Sequence, residues 1–415
     1  MDLAVISILF LVAAIFIGFK FGLNTGFVAI GLSLIIGTMG GIPSKNLIQA
    51  FSSNLFIIML GVSFMFAIAS DNGTLELVAK KLIKLSGKNT GVIPILVFLI
   101  SAVLAGIGPG TVPVMGIMST FAVSVAISMK MNPVLLASAA LLGSQAGGLT
   151  PIAPTGILAQ ELANQAKLGD LGISVMLNQF VASFIYFMVL YVVFKGWKQQ
   201  DISVSDEEVL VFNRNHIITI IAIIAMIILV LGFNYNVGLV CFLLGSILLL
   251  FGASTTKAAM NNIAWSTLML VCGVNILMNV VIKLGGIDLI AKALASIMVP
   301  FTAVPIMGVS AGIMSWFSST SGVVMPTMIP TIPGIMESLG VTNFTAFVSA
   351  IVITSHTAGC SPISTGGAQS LAAYSTLTHA SDEQEKEIFN KLFEVAIGGV
   401  IFMAAYGLLG GFNLF

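Results

Sequence analysis

Two stretches, SQAGGLTPIAPTG (Ser144–Gly156) and SHTAGCSPISTGG (Ser355–Gly367), decide how this chain is read. They are offset by 355 − 144 = 211 residues, and Ser144/Ser355, Gly148/Gly359, Pro151/Pro362, Ile152/Ile363 and Gly156/Gly367 are identical. Each cuts open a long apolar run, residues 133–168 and 341–378, with Gly, Pro, Ser and Thr. At bilayer depth a broken helix leaves N–H and C=O groups that hydrocarbon cannot satisfy, so such segments persist only where they line a polar cavity or hold ions. Matched interruptions in two halves of a membrane chain point to a binding site built twice.

The composition requires a membrane. Of 415 residues, 58% are hydrophobic and only 8% charged, with 42 glycines and a mean hydropathy of +1.10, which leaves too few surface charges for a soluble protein of this size. Spans of roughly bilayer length are predicted at 3–19, 25–42, 55–70, 133–168 (broken), 172–194, 216–233, 237–253, 264–282, 341–378 (broken) and 393–413, ten crossings in all. The first lacks a basic leading region and a small-residue cleavage site, so a retained helix is expected rather than a signal peptide. Cys241, Cys272 and Cys360 sit in apolar surroundings without metal-binding spacing, and no disulfide framework is expected. No zinc-protease, nucleophile-elbow or P-loop motif occurs, and no carboxylate pair lies within an interrupted helix, so an enzyme is not expected. A formal net charge of zero gives no reason to expect nucleic acid as a partner.

The repetition extends beyond the two breaks. GTLELVAKKL (Gly73–Leu82) matches GGIDLIAKAL (Gly285–Leu294) at an offset of 285 − 73 = 212, and Gly61-Val62 matches Gly273-Val274 at the same offset. One unit used twice is therefore expected, over residues 1–195 and 215–415, joined by a polar linker at 196–214 that contains Asp201, Asp206, Glu207, Glu208 and Arg214. Each unit has scaffold helices (1–90; 215–300), a segment apolar on both sides of a Gly/Pro or Ser/Thr tip (91–129; 302–338) and a broken helix (133–168; 341–378). The segments with tips are read as re-entrant hairpins, entered through interfacial arms at 73–87 and 285–297. The run SDEQEKE near Asp382 is read as a solvated connection.

Five crossings per unit make the two units inverted relative to each other. An outside N-terminus then sends Lys20, Lys80, Lys81, Lys84, Lys88, Lys130, Lys195, Lys198, Arg214, Lys257, Lys386 and Lys391 to the cytoplasm and leaves Lys45, Lys167, Lys283 and Lys292 outside, which obeys the positive-inside bias. The fold expected from sequence is thus an all-α polytopic membrane protein of two inverted repeats, with both termini outside.

Four segments form the candidate site: the tips GIGPGTVP (Gly106–Pro113) and SSTSG (Ser318–Gly322), and the two breaks. Candidate substrate-binding residues are Gly110, Thr111, Gln145, Thr150, Thr155, Ser318, Ser319, Thr320, Ser321, His356, Ser361, Ser364 and Thr365; none of the four segments contains Arg, Lys, Asp or Glu. A site without fixed charge can hold neutral solutes, or an anion on exposed helix N-termini. A doubly charged anion still needs compensation in a low-dielectric cavity. Sodium on backbone carbonyls and hydroxyls of the same loops would supply it, with Gly108, Gly147, Gly148, Thr150, Gly359, Ser361 and Thr365 as candidate ligands. His356, whose repeat counterpart is Gln145, is read first as a neutral hydrogen-bonding ligand; a proton carrier and a cap on the opened helix end are the other readings.

GSQAGGLTPIAPTG and SHTAGCSPISTGG, together with the order of crossings, hairpin and broken helix, resemble the ion transporter superfamily. Within it they are most similar to MatC-type malonate and dicarboxylate carriers, relatives of the divalent anion:sodium symporters. The resemblance covers the whole chain. It implies a homodimer in a bacterial cytoplasmic membrane, with a contact scaffold and a transport domain of hairpins and broken helices that moves as an elevator, carrying a small dicarboxylate with sodium. In those symporters a Ser-Asn-Thr motif at each hairpin tip contacts carboxylates. By position this chain offers Ser318, Ser319, Thr320 and Ser321 at one tip and Gly108, Pro109, Gly110 and Thr111 at the other, with no Asn at either. The membrane subunit of tripartite periplasmic transporters has a similar layout.

Overall fold

The computed structural model describes residues 2–84, 90–198, 211–378 and 380–415, and among them it is helical throughout. The first half runs α1 (Leu3–Phe21), α2 (Thr25–Met39), α3 (Ser44–Gln49), α4 (Ser53–Asp71), α5 (Thr74–Lys84), α6 (Ile93–Gly106), α7 (Thr111–Ser128), α8 (Pro133–Gly147), α9 (Pro154–Gln165) and α10 (Ser174–Val193). The second runs α11 (Arg214–Ile227, continued by a π turn, Ile228–Gly232), α12 (Val237–Leu250), α13 (Thr256–Asn262), α14 (Trp265–Lys283), α15 (Gly286–Ser296) and α16 (Ala303–Trp316). A π segment (Thr320–Val324), α17 (Met325–Met328), a 3-10 turn (Ile329–Thr331), α18 (Ile332–Leu339), α19 (Phe344–Ala358), α20 (Thr365–Thr378) and α21 (Asp382–Leu408) complete it. Among the described residues, five stretches suit a membrane crossing by length and composition: Ser44–Asp71, Ser174–Val193, Trp265–Lys283 and Asp382–Leu408, which fall on expected spans, and Thr111–Ser128, which falls in a segment read as a hairpin; shorter apolar helices occupy the remaining expected spans. Most of the expected linker, including Asp201, Asp206, Glu207 and Glu208, lies outside the described residues, as do Lys88 and residues 85–87 of the first arm.

One expectation is corrected. SDEQEKE is not a loop but the opening of α21, because Ser381 accepts from the Gln384 N–H while the Gln384 side chain accepts from the Ser381 N–H. This capping box, with Asp382, Glu383 and Glu385 in the first turn of the helix, satisfies free N–H groups and complements the positive end of the dipole. The polar run therefore extends a helix instead of ending one.

Glycines set how helices of the two halves interlock. α2 packs on α14 and α4 on α12. A Cβ on Gly26 would collide with the Met269 carbonyl, and one on Gly273 with Gly26; a Cβ on Gly61 would collide with the Gly238 carbonyl, and one on Gly238 with Ile58. These contacts come in exchanged pairs, since 26 + 212 = 238 and 61 + 212 = 273. Hydrogen bonds obey the same exchange: Ala264 N–H donates to Ser63 Oγ at 2.9 Å and Asn275 Nδ2 to Ser52 Oγ at 2.8 Å, with 52 + 212 = 264 and 63 + 212 = 275.

The most enclosed elements are the leading arms of the broken helices. Every residue of α8 from Val134 to Gly147 is buried, as is α19 from Ala346 to Ala358. Asn132 caps α8 by accepting from Val134 and Leu135 N–H, and Asn343 caps α19 by accepting from Ala346 N–H. Small residues let neighbours approach: a Cβ on Gly143 would strike the Phe98 carbonyl of α6, and one on Gly147 the Ala102 carbonyl.

Candidate functional site

Both breaks follow one backbone course. In the first, Gly148 N–H donates to Ser144 O at 3.0 Å, Ala153 N–H to Thr150 O at 3.0 Å and Gly156 N–H to Gly148 O at 3.2 Å. In the second, Gly359 N–H donates to Ser355 O at 3.0 Å, Ser364 N–H to Ser361 O at 2.9 Å and Gly367 N–H to Gly359 O at 3.2 Å. The closing bond brings the chain back on itself so tightly that a Cβ on Gly156 would strike the Thr150 carbonyl, and one on Gly367 the Ser361 and Cys360 carbonyls. Glycine is thus required at both closures for space, not for an unusual φ.

The hairpin turns are held to these breaks by hydroxyls. Thr150 Oγ1 donates to the Gly106 carbonyl at 2.7 Å, Ser361 Oγ to the Trp316 carbonyl at 2.9 Å and Ser364 Oγ to the Ser318 carbonyl at 3.0 Å. The first tip turns through Gly108 (φ 144°) and Gly110 (φ 80°), a conformation that glycine adopts without strain, and it is buried from Gly108 to Thr111. The second opens as a π segment whose preceding residue, Ser319, accepts from Gly322 N–H at 3.2 Å. Single π turns recur at functional sites.

Between tips and breaks lies a cleft lined by Thr111, Val112, Met115, Gln145, Ser319, Thr320, Ser321, His356, Gly359, Ser364, Thr365 and Gly366. The structure therefore gathers Thr111, Gln145, Ser319, Thr320, Ser321, His356, Ser364 and Thr365 from the expected substrate set, and Gly359 from the expected cation set. Thr155 stands beside them, its hydroxyl 3.3 Å from that of Thr111, and lines an adjoining pocket with Pro109, Ser63 and Thr267. Ser318 lines a third cavity, which reaches Asn24, Thr25 and Ser266 and shares Ser319, Ser364 and Thr365 with the cleft. Gly108, Gly110, Gly147, Gly148, Thr150 and Ser361 stand behind the lining and shape the tips and breaks.

None of the lining residues is Asp, Glu, Lys or Arg. Among the described residues there is also no cluster of three His, Cys, Asp or Glu able to hold a metal, so a cation here would rest on carbonyl and hydroxyl oxygens. The helix starts at Thr111 and Thr365 bring free N–H groups to the cleft. His356 is almost fully buried, and its Nδ1 lies 3.0 Å from Gln179 Oε1 on α10. Gln179 Nε2 donates to Ser183 Oγ at 2.6 Å. Gln145 also lines the cleft and is 2% exposed, and among the described residues its Oε1 has no hydrogen-bond partner. Sequence reading passed over Gln179; the available signal was Asn178, Gln179 and Ser183 within an otherwise apolar span.

The helical order and the site define a polytopic membrane fold seen in a solved transport protein. The chain superposes on the crystal structure of the Alcanivorax borkumensis YdaH transporter with a TM-score of 0.58 at 11% identity, covering 88% of each chain. Residues 1–148 match the family model described as the N-terminus of the dicarboxylate carrier protein MatC, so both likenesses are to transport proteins and not to enzymes. No curated protein matches the chain.

Proposed function

We propose that this chain is a secondary active carrier of small dicarboxylates, such as malonate or a four-carbon diacid, coupled to sodium. The observation that carries the reading is the convergence of both breaks and both tips on one hydroxyl-rich cleft without fixed charge. The match of residues 1–148 to a dicarboxylate carrier model supports the substrate class. In this reading residues 1–195 and 215–415 are inverted repeats, and the exchanged glycine and hydrogen-bond pairs of α2, α4, α12 and α14 support that duplication. The hairpins α6–α7 and α16–α18 are re-entrant and move with the broken helices as an elevator against the scaffold, in a homodimer within a bacterial cytoplasmic membrane. Sodium rests on the oxygens of the breaks, where Gly359 and Thr365 reach the cleft.

Uptake of radiolabelled malonate and succinate into liposomes containing only the purified protein tests the reading, with an inward sodium gradient, a proton gradient or neither. Sodium-dependent accumulation is expected. Accumulation under a proton gradient alone would replace the coupling ion. No uptake of either diacid by folded protein would overturn the autonomous carrier and direct attention to a separate binding protein.

A further inference from the structure

We propose that the cleft takes its dicarboxylate in the singly protonated form, with the substrate O–H donated to His356 Nε2 and Gln179 acting as the positioning residue that keeps this nitrogen an acceptor. The inference rests on the carrier reading and sharpens its substrate. With Gln179 Nε2 donating to Ser183 Oγ, Oε1 is left facing His356 Nδ1, and a carbonyl oxygen can only accept. Nδ1 therefore carries the hydrogen, and a neutral imidazole so held presents the lone pair of Nε2. Among the described residues no hydrogen bond engages Nε2, and His356 lines the cleft.

A second, independent observation points the same way. Gln145, which also lines the cleft, is 2% exposed, and its Oε1 has no partner among the described residues. Two acceptors, His356 Nε2 and Gln145 Oε1, line a cleft whose lining includes no Lys or Arg, so a ligand that brings donor hydrogen matches them, and a buried acceptor left unmatched is costly. A dianion would bring only more acceptors. A monoanion brings one O–H and one carboxylate, and the hydroxyls of Thr111, Ser321 and Thr365 with the adjoining helix starts suit the carboxylate. One sodium then balances the remaining charge. No proton leaves the substrate in this arrangement; it is shared across a hydrogen bond.

The surroundings of His356 contain no competing charge. α10 offers Gln179, Ser183 and Tyr186, whose hydroxyl donates to the Val395 carbonyl, and α16 offers Ser315, which donates to the Ser355 carbonyl. Cys360 follows in the break itself. α8, α10, α16, α17, the π segment and α20 contain no Asp, Glu, Lys or Arg; α18 and α21 have theirs at exposed or half-exposed positions.

The test is a ligand series on the unaltered protein in liposomes under a fixed sodium gradient. Inhibition of labelled malonate uptake is measured for unlabelled malonate and for its monoamide, which keeps one carboxylate and replaces the O–H with an N–H donor. Malonate potency should fall about tenfold per pH unit above its second ionisation, while the monoamide should compete with a potency that does not change with pH. A protonated imidazole binding the dianion would also favour acid, but it would make the monoamide a poor competitor at every pH. In Gln179→Met the acid preference and monoamide competition should both weaken at least fivefold, and Gln179→Glu, which retains an acceptor on Nδ1, should restore monoamide competition. Malonate potency flat in pH with no monoamide competition overturns this inference and leaves the carrier intact. Absence of dicarboxylate transport at every pH overturns the carrier and the inference together.

Discussion

The two breaks share a backbone and differ in chemistry. Residues 148–156 and 359–367 close with the same Gly-to-Gly hydrogen bond, 3.2 Å in each, and both are tied to a hairpin through a hydroxyl on a carbonyl. Their side chains then diverge. The first half gives the cleft Thr111, Val112, Met115 and Gln145; the second gives Ser319, Thr320, Ser321, His356, Gly359, Ser364, Thr365 and Gly366. The two breaks thus share what a polar break in a membrane needs, namely satisfied backbone, while most of the side chains that line the cleft come from the second half.

The most severe way to break the comparison is to fill the closures. Gly156→Ala and Gly367→Ala each place a methyl group against fixed backbone carbonyls, which cannot move as a side chain can. Each should cost about 3 kcal/mol or more and abolish a monodisperse folded species, read by size-exclusion profile and thermal unfolding in detergent. Tolerance at one closure alone would show that the two loops do not share a constraint.

The comparison sharpens at the counterpart pair His356 and Gln145. His356 is held by Gln179, while among the described residues the Gln145 carbonyl oxygen has no hydrogen-bond partner. His356→Ala removes an oriented contact and leaves Gln179 Oε1 buried without a donor, so sodium-driven uptake should fall at least about tenfold. Gln145→Ala removes an atom with no existing partner and should lower uptake roughly threefold with little change in unfolding temperature. Equal losses would mean that recognition is divided evenly between the halves.

The breaks were readable from sequence because their composition departs sharply from the apolar runs around them, and both fall where expected, at residues 148–153 and 359–364. The hydroxyl-rich cleft followed from the same anomaly. Gln179 was not read as part of the site because it lies 177 residues from His356, on a span read only as a membrane crossing, and only tertiary packing joins them. The opening of α21 was misread because charge density resembled a linker, while the deciding feature was the pairing of Ser381 and Gln384. Short α3 and α13 escaped because neither is long enough to show a period. Hydroxyls were the least legible group: Thr150 and Ser361 share residue class and location with Ser364, yet only Ser364 reaches the cleft.

That last distinction carries the smallest expected effect. Thr150 and Ser361 were expected to meet ligand or cation, but each donates to a hairpin carbonyl, Gly106 or Trp316. A hydroxyl occupied in this way fastens the hairpin to the break, and removing it exposes a carbonyl instead of vacating a binding contact. Thr150→Val and Ser361→Ala should therefore each destabilise by about 1 kcal/mol, lowering the unfolding temperature by a few degrees, with the malonate concentration for half-maximal uptake within twofold of the parent. Because the two bonds are counterparts, the shifts should match in size. A loss of sodium affinity at either position with unfolding unchanged would return that hydroxyl to the ion site and show that the two staples have separate roles.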